Sequence, residues 1–113
     1  MIYLASPYSH PEQKIMQRRY HQVMRATSIL LKGGVYVYSP IVHCHVMANK
    51  HNLPTDFEFW KGYNEHMIGC SESLYVFCLD GWDFSKGVAG EMAFAKEREL
   101  PIVFLTPENI FGR

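Results

Sequence analysis

The fold is decided by the stretch Leu74-Tyr75-Val76-Phe77-Cys78-Leu79 and by Ser85-Lys86-Gly87-Val88-Ala89-Gly90-Glu91, which follows it. The first stretch is a continuous apolar run, typical of a strand that is buried on both faces of a sheet. The second begins with a serine, which is a favourable N-cap residue for a helix. The sequence therefore predicts a strand that leads into a helix, with a hydroxyl, two glycines and the Glu91 carboxylate at the junction. Ligands bind at such carboxyl ends of strands in parallel sheets.

Similar patterns cover the rest of the chain. Three more apolar runs predict strands at residues 1–5, 35–38 and 101–105. Two further helices are predicted, one from a capping box at Ser9–Glu12 to the glycines after Lys32, and one from a capping box at Thr55–Glu58 to about residue 70. The third helix runs from Ser85 to about residue 99, and residues 41–54 are predicted to form a loop.

This alternation of strands and helices predicts an α/β protein in which a parallel sheet of four to five strands is covered by helices on both faces. At 113 residues the chain is expected to be a single domain, residues 1–113, with one hydrophobic core.

The composition excludes several classes of protein. Eleven basic residues balance eleven acidic ones, so the chain lacks the excess positive charge of a dedicated nucleic-acid binder. No apolar run is long enough to cross a membrane, and the first residues read as a strand, so no N-terminal leader is expected. Three cysteines without CxxC spacing predict buried, reduced thiols and a cytoplasmic protein rather than a disulfide frame or a zinc site.

Polar residues follow three of the predicted strands and are expected to share one crevice. They belong to Ser6-Pro7-Tyr8, to the segment that begins at Ser39-Pro40, and to the connection from Asp80 to Glu91. Because the carboxyl ends of parallel strands meet at one edge of the sheet, a ligand site is predicted there. The chain lacks both GxxxxGK[ST] and GxGxxG, so neither a P-loop nor a dinucleotide cofactor is indicated, and no cofactor is expected.

Two residues of this crevice have both a chemical and a structural interpretation. Glu91, as a solvated carboxylate with an ordinary pKa, would be ionised at neutral pH, as a nucleophile must be. The alternative is that it only interacts with the helix dipole on a wet face. Ser85 is either a plain N-cap or, together with the free amides that follow it, a phosphate anchor.

The remaining polar and aromatic residues leave similar alternatives open. His43 and His45 are interpreted as loop histidines that line the crevice in preference to metal ligands, because no third ligand stands at a suitable spacing. Arg18 and Arg19 are interpreted as a solvated face, with a phosphate contact as the alternative. Several aromatic residues either pack or stack on a base, namely Tyr3, Tyr8, Trp60, Tyr63 and Trp82.

The chain resembles the nucleoside 2-deoxyribosyltransferase superfamily. The resemblance rests on Ile2-Tyr3-Leu4-Ala5-Ser6-Pro7-Tyr8 and on Ser85-x-Gly87-x-x-x-Glu91, and it covers nearly the whole chain. Within the superfamily, residues 39–45 and 53–60 are most similar to a group of small, largely uncharacterised bacterial and phage proteins. The resemblance implies a flavodoxin-like three-layer sandwich, a small-molecule nucleotide or nucleoside substrate and a homodimer or larger assembly.

The resemblance also implies a reaction. Glu91 would attack the anomeric carbon of a (deoxy)ribose and form a covalent glycosyl-enzyme, which water or a second base would resolve with retention of configuration. Serine at position 85 is similar to the branch that acts on nucleoside 5′-monophosphates, which favours hydrolysis of a nucleotide over base exchange. The expected substrate-binding residues are Ser6, Pro7, Tyr8, His43, His45, Trp60, Asp80, Trp82, Ser85 and Gly87.

Asn64 and Tyr3 are the other candidate catalytic residues. Asn64 stands where the superfamily usually has an aspartate that assists departure of the base, and an amide cannot deliver a proton. Glu65, Asp56 and Asp83 are alternative acids. The second hypothesis for the protein is a module that binds a nucleotide without catalysis.

Overall fold

The computed structural model describes residues 1–112 and contains one parallel sheet of four strands. The strands are β1 (Ile2–Ala5), β2 (Val37–Tyr38), β3 (Ser73–Phe77) and β4 (Ile102–Leu105). Their order is β2-β1-β3-β4, and all three neighbouring pairs are parallel. This is the order of the first four strands of a flavodoxin-like sheet. The predicted fold class is therefore confirmed, with four strands.

Five helices cover the sheet. They are α1 (Gln13–Lys32), α2 (Pro40–Lys50), α3 (Phe57–Gly69), α4 (Lys86–Glu97) and α5 (Pro107–Phe111), and a 3₁₀ turn (Trp82–Phe84) precedes α4. Buried residues of α3 and α4 pack with Tyr3, Leu74 and Val76 in one cluster, whereas α1 and α2 pack with Leu4 and Phe77 in a second cluster. The two clusters lie on the two faces of the sheet, and together with the sheet they form three layers.

The segment 41–54, predicted to be a loop, contains helix α2 instead. Ser39 is its N-cap, because the Ser39 Oγ accepts a hydrogen bond from the Val42 N–H at 3.2 Å, and Pro40 occupies the first turn. Ile41, Cys44, His45 and Ala48 are buried along one face, at the spacing of an amphipathic helix. The prediction was wrong because this spacing was overlooked among the polar residues.

Helix α1 begins later than its predicted capping box. Glu12 is the N-cap and makes no side-chain cap hydrogen bond, whereas the Ser9 hydroxyl donates to the Thr55 carbonyl at 2.6 Å. The predicted end of α1 is confirmed, since Gly33 is the C-cap and Gly34 adopts a φ of +89°. The N-cap predicted at Thr55 is shifted by one residue, and no capping box forms there because the third helical residue is Phe59. Asp56 is the N-cap of α3 and accepts from the Phe59 N–H at 3.4 Å.

The three cysteines are free, and they differ in exposure. Cys44 is buried, as the sequence predicted, but Cys78 is only half-buried and Cys70 is exposed. Within residues 1–112, no helix combines the length and the apolar character that a membrane crossing needs.

Candidate active site

A cavity of about 570 Å³ lies at the carboxyl edge of the sheet. Its wall combines residues that follow β1, one side of α2 and the first turns of α3 and α4. These elements meet because β1 and β3 are the central neighbouring strands, so that the segments leaving them emerge side by side. The volume is typical of a site for a small organic ligand.

Eight of the residues singled out in the sequence line this cavity. They are Ser6, Tyr8, His45, Trp60, Asn64, Ser85, Gly87 and Glu91. Tyr3 is fully buried beneath the cavity and reaches it through the Glu91 carboxylate. The structure therefore brings together the three candidate catalytic residues, although they come from β1, α3 and α4.

Four of the predicted substrate contacts lie outside the cavity lining, which corrects the expectation for them. Pro7 is fully buried among core side chains, and Asp80 is exposed and contributes only a carbonyl that accepts from Arg19 at 3.2 Å. His43 lies on the exposed side of α2. Trp82 packs against Phe104 with ring centroids 5.5 Å apart. In each case the expectation came from position along the chain, which does not determine where a side chain points.

Glu91 is a buried acid, only 7% exposed. The Tyr3 hydroxyl donates a hydrogen bond to its Oε2. Burial raises the pKa of Glu91 to about 7, and the hydrogen bond from Tyr3 lowers the pKa in part. The expectation of a solvated carboxylate with an ordinary pKa was therefore wrong, and so was the alternative of a dipole partner on a wet face. A carboxylate whose pKa is near 7 exchanges its proton easily at neutral pH.

Tyr3 is the fixed partner of Glu91. It lies in β1 with no exposed surface, and burial together with the nearby Glu91 raises its pKa well above the usual range. The hydroxyl therefore stays protonated and serves as a hydrogen-bond donor over the whole physiological pH range. Its ring packs at 5.8 Å from the ring of Tyr38, which keeps the hydroxyl aimed at the carboxylate.

Two polar atoms of the cavity residues are buried without a hydrogen-bond partner among residues 1–112. They are the Ser6 Oγ and the Asn64 Oδ1. An unsatisfied buried polar atom costs about 1–3 kcal/mol, so folded proteins retain few of them. Both residues line the cavity.

The start of α4 forms another part of the wall. The Ser85 Oγ accepts from the Val88 N–H at 3.2 Å, so the predicted N-cap is confirmed. Gly87 borders the cavity, as expected of a glycine that lets a ligand approach. Gly90 has a different role, because a Cβ at this position would lie 2.4 Å from the Phe57 Cζ. Its missing side chain leaves room for the Phe57 ring, which itself lines the cavity.

His45 and Tyr8 form a hydrogen-bonded pair in the wall. The Tyr8 Oη lies 2.6 Å from the His45 Nδ1, and the Tyr20 ring stacks on the imidazole with centroids 4.0 Å apart. His43 projects from another side of α2, near Tyr38 and Tyr63. Residues 1–112 contain no group of three or more His, Cys, Asp or Glu side chains placed to hold a metal ion.

Sequence reasoning missed several residues of the wall. Ile41, Cys44 and Ala48 come from α2, and their helical spacing was the signal that could have found them. Phe57 was treated only as part of a capping box. Arg19 was interpreted as solvated or, alternatively, as a phosphate contact, and its hydrogen bonds to the carbonyls of the β1–α1 segment in the cavity wall were not predicted.

The fold and the site together define a parallel α/β domain with a small-molecule cavity at the carboxyl ends of its strands. The chain belongs to the family described as domain of unknown function DUF1937, which matches residues 1–106. No curated protein matches the chain.

Proposed function

We propose that the protein cleaves the N-glycosidic bond of a (deoxy)nucleoside 5′-monophosphate through a covalent glycosyl group on Glu91. The observation that carries the proposal is a buried carboxyl group with a pKa of about 7 that faces a cavity of about 570 Å³ and is held by a buried tyrosine. A glutamate that only interacts with the helix dipole would require neither a neighbouring cavity nor a hydrogen bond from a buried tyrosine.

The wall of the cavity suits a nucleotide. Trp60 and Phe57 offer flat apolar rings for a base, and the N-terminus of α4 at Ser85 offers backbone N–H groups for a phosphate. The unpartnered Ser6 Oγ and Asn64 Oδ1 would accept hydrogen bonds from sugar hydroxyl or base amino groups. The resemblance to nucleoside 2-deoxyribosyltransferases supports the same assignment.

The proposed reaction has two displacements at the anomeric carbon. A carboxylate oxygen of Glu91 bonds to this carbon while the bond to the base nitrogen breaks, and the nitrogen keeps the electron pair and takes up a proton. Water then adds to the same carbon, loses a proton and returns the bonding electrons to Glu91. The configuration is retained, and the products are the free base and a (deoxy)ribose 5-phosphate.

The N-cap at the phosphate end is Ser85, a neutral hydroxyl that does not repel a phosphate, which favours a nucleoside 5′-monophosphate over a free nucleoside. Hydrolysis is favoured over base exchange by the resemblance of this serine to the branch of the superfamily that acts on nucleoside 5′-monophosphates. In a transferase, a second base in place of water would resolve the same intermediate. The resemblance also supports a homodimer or larger assembly, and the cysteine content supports a cytoplasmic location.

A second candidate function is a module that binds a nucleotide without cleaving it. Asn64 favours this alternative, because its amide lines the cavity and can bind a base but cannot supply a proton to it. Such a module would retain the cavity and its hydrogen-bonding groups, and Glu91 would be dispensable for binding.

Base release from a panel of ribo- and deoxyribonucleoside 5′-monophosphates tests the proposal. We expect the wild-type protein to release at least one base, and Glu91→Gln to lower the rate by about 10³-fold or more, since no other group can form the glycosyl ester. The matched control is Glu97→Gln, an exposed glutamate of the same helix, which should leave the rate unchanged. Intact mass spectrometry should detect the glycosyl adduct on Glu91 when the reaction is quenched early.

The two candidate functions give opposite results in this assay. Turnover that is lost with Glu91 supports the glycosidase. Tight binding of a nucleotide by calorimetry, with no base release and with the affinity unchanged in Glu91→Gln, supports the binding module instead.

A further inference from the structure

The proposed cleavage needs a proton for the departing base, and the obvious acids of the cavity are not placed to give one. The Asp56 carboxylate is exposed and caps α3, and the Glu58 carboxylate is exposed and lies 3.7 Å from the Lys86 Nζ. Glu65 and Asp83 lie outside the lining, and Asn64 has no acidic proton. The question is therefore which other group of the wall can move a proton.

Tyr8 and His45 are the remaining pair with that capacity. Both line the cavity that contains Glu91, and their hydrogen bond of 2.6 Å links the Tyr8 hydroxyl to the His45 Nδ1. Tyr8 is half-buried, whereas His45 is only 3% exposed. A ligand in the cavity thus meets the tyrosine hydroxyl, and the imidazole is reached through it.

The hydrogen-bond partners of His45 determine which of its ring nitrogens carries the proton. The His45 Nε2 lies 3.1 Å from the Gln17 Oε1, which can only accept a hydrogen bond. The Gln17 amide is oriented this way because its Nε2 faces the His21 Nε2 at 3.3 Å. With the proton of neutral His45 on Nε2, its Nδ1 accepts from the Tyr8 hydroxyl, and the lone pairs of Tyr8 are left for the cavity.

Protonation of His45 reverses the direction of this hydrogen bond. An imidazolium donates from Nδ1 to the Tyr8 oxygen and keeps its Nε2–H on Gln17. The Tyr8 hydroxyl proton is then free to point into the cavity. The Asn49 Nδ2 lies 3.1 Å from the same Nε2, and as a donor it does not pair with an N–H there, so the Asn49 amide must turn its oxygen toward Nε2 when that nitrogen carries the proton.

We propose that Tyr8 is the catalytic group that donates a proton to the departing base and takes one from the attacking water, with His45 as the relay that supplies and stores this proton. The inference rests on the function proposed above and assigns the acid–base step of that reaction. It gives one hydroxyl both roles, as retaining glycosidases commonly do with one carboxyl group.

The protons of the two steps balance. In the first, Tyr8 gives its proton to the base nitrogen and receives the Nδ1 proton of His45, so the base leaves neutral and His45 becomes neutral. In the second, the water gives a proton to Tyr8 and Tyr8 returns its own to Nδ1. The oxygen of the water bonds to the anomeric carbon, and the bond between this carbon and Glu91 breaks with its electrons on the carboxylate.

The titratable groups of the relay and its surroundings make the rate of base release sensitive to pH. Burial lowers the pKa of His45, and the nearby His21 of α1 lowers it further. The other neighbours from α1 are Gln17 and Tyr20, the neighbour from the β1–α1 segment is Tyr8, and those on α2 are the neutral Asn49 and Cys44. The reactive form has an ionised Glu91 and a protonated His45. The rate of base release should therefore fall at low pH, where Glu91 is protonated, and at high pH, where His45 is neutral.

The decisive experiment varies the leaving group. Tyr8→Phe keeps the ring, and His45→Gln keeps an acceptor for the Tyr8 hydroxyl but cannot be protonated. With nucleotides, both variants should lose about 10²–10⁴-fold in base release. With the 4-nitrophenyl glycoside of the same sugar phosphate, which departs without a proton, both should still give a burst of one nitrophenolate per site. Slow turnover after the burst should accumulate the glycosyl adduct on Glu91.

The control is Tyr36→Phe, the same chemical change at an exposed tyrosine outside the cavity, which should behave as the wild type. Wild-type rates with nucleotides in both variants would overturn the relay while leaving the role of Glu91 intact. Equal losses with both substrates, without a burst, would identify a structural pair instead. If the rate of base release by His45→Gln still falls at high pH, His45 is not the group that supplies the proton, and the relay is overturned. A wild-type protein inert to both substrates would overturn the proposed function and the relay with it.

Discussion

The Glu91 carboxyl group links the stability of this fold to pH. Its pKa is raised from the ordinary value of 4.5 to about 7, because the charged form is buried. Between these two pH values the folded protein retains a proton that the unfolded chain has lost. Stability is therefore lost as the pH rises from about 4.5 to about 7, and it is not regained above that range. The full effect is on the order of 3–4 kcal/mol, since the two pKa values differ by about 2.5 and each pKa unit corresponds to about 1.4 kcal/mol.

Glu91→Gln should remove this loss. Glutamine has the shape of the protonated acid and can accept the same hydrogen bond from Tyr3, so the variant should match the wild type near pH 4.5. Well above pH 7 it should be more stable by about 3–4 kcal/mol. Urea unfolding of both proteins at several pH values from 4.5 to 8 measures the difference.

The exposed Glu97 of the same helix provides the comparison for this measurement. Glu97→Gln should shift the stability by less than about 0.5 kcal/mol, with the pH dependence of the wild type retained. A Glu91→Gln variant whose stability follows that of the wild type at every pH would show that the carboxyl group is not desolvated. A gain in stability together with lost activity would show that Glu91 is present for function and at a cost to the fold.

The sequence predicted the position of Glu91 in its helix but not its chemical state. Ser85 as the N-cap and the glycines at the start of α4 are local signals, and they placed Glu91 one turn into the helix. Burial depends on Tyr3, which is 88 residues away in β1. No local pattern contains that contact, so an ordinary pKa was the natural but wrong expectation.

At the scale of elements, α3 and α4 touch through Phe57 and Gly90. A Cβ on Gly90 would lie 2.4 Å from the Phe57 Cζ and 2.7 Å from its Cε1, closer than two carbons can approach. Close packing against Phe57 therefore explains a glycine at position 90, although a glycine within a helix lowers its stability by about 1 kcal/mol relative to alanine. The contact also holds the Phe57 ring in the cavity wall.

Gly90→Ala should lower the free energy of unfolding by about 1 kcal/mol, because the cost of moving the Phe57 ring exceeds the gain in helix propensity. In a Phe57→Ala background the same substitution should instead stabilise the protein by about 1 kcal/mol. Denaturant unfolding of the four proteins of this double-mutant cycle gives the coupling energy directly.

Gly62 of α3 is the matched control, because nothing lies within 4 Å of the position of its missing Cβ. Gly62→Ala should stabilise the protein by about 1 kcal/mol, with or without Phe57. Equal effects of alanine at positions 62 and 90 would mean that the ring gives way freely and that Gly90 has no packing role.

Helix α2 shows where element prediction failed. Its start signal, Ser39-Pro40, was interpreted only as the end of β2, and its polar residues His43, His45, Asn49 and Lys50 resemble a loop in composition. The buried face of Ile41, Cys44 and Ala48 outweighs that composition, since most helix stability in proteins comes from packing of one face. This helix supplies His45, so the error also concealed the pair with Tyr8.

At the scale of the whole molecule, the order of the elements was predictable and the details of the cavity were not. Alternating apolar runs and helical periods define a parallel α/β sheet, and the position of its ligand edge follows from that topology alone. Which side chains face the cavity depends on helix rotation and on long-range contacts. Trp60 therefore lines the cavity, whereas His43 and Trp82 do not.

Arg19 of α1 connects, through hydrogen bonds, the segments that follow β1 and β3 at the carboxyl edge of the sheet. Its guanidinium donates to the carbonyls of Tyr8 and Ser9 after β1, at 3.3 and 3.1 Å, and to the carbonyl of Asp80 after β3, at 3.2 Å. Gly81 makes room for it, because a Cβ there would lie 2.7 Å from the Arg19 Nη2. A single side chain thus holds together the backbone on both sides of the cavity mouth.

Arg19→Lys should therefore lower the stability of the fold and make the backbone on both sides of the cavity mouth more mobile. Lysine keeps the charge but cannot span three carbonyls with one planar group, so we expect a loss of about 1–2 kcal/mol in the free energy of unfolding. Hydrogen exchange should become faster at the backbone amides of residues 6–9 and 80–85, because both segments lose their common anchor. The neighbouring, exposed Arg18 gives the control, and Arg18→Lys should change stability by less than about 0.5 kcal/mol. If exchange increases in only one of the two segments, Arg19 supports that segment alone, and the cavity mouth is held together by the packing of α1 rather than by its guanidinium.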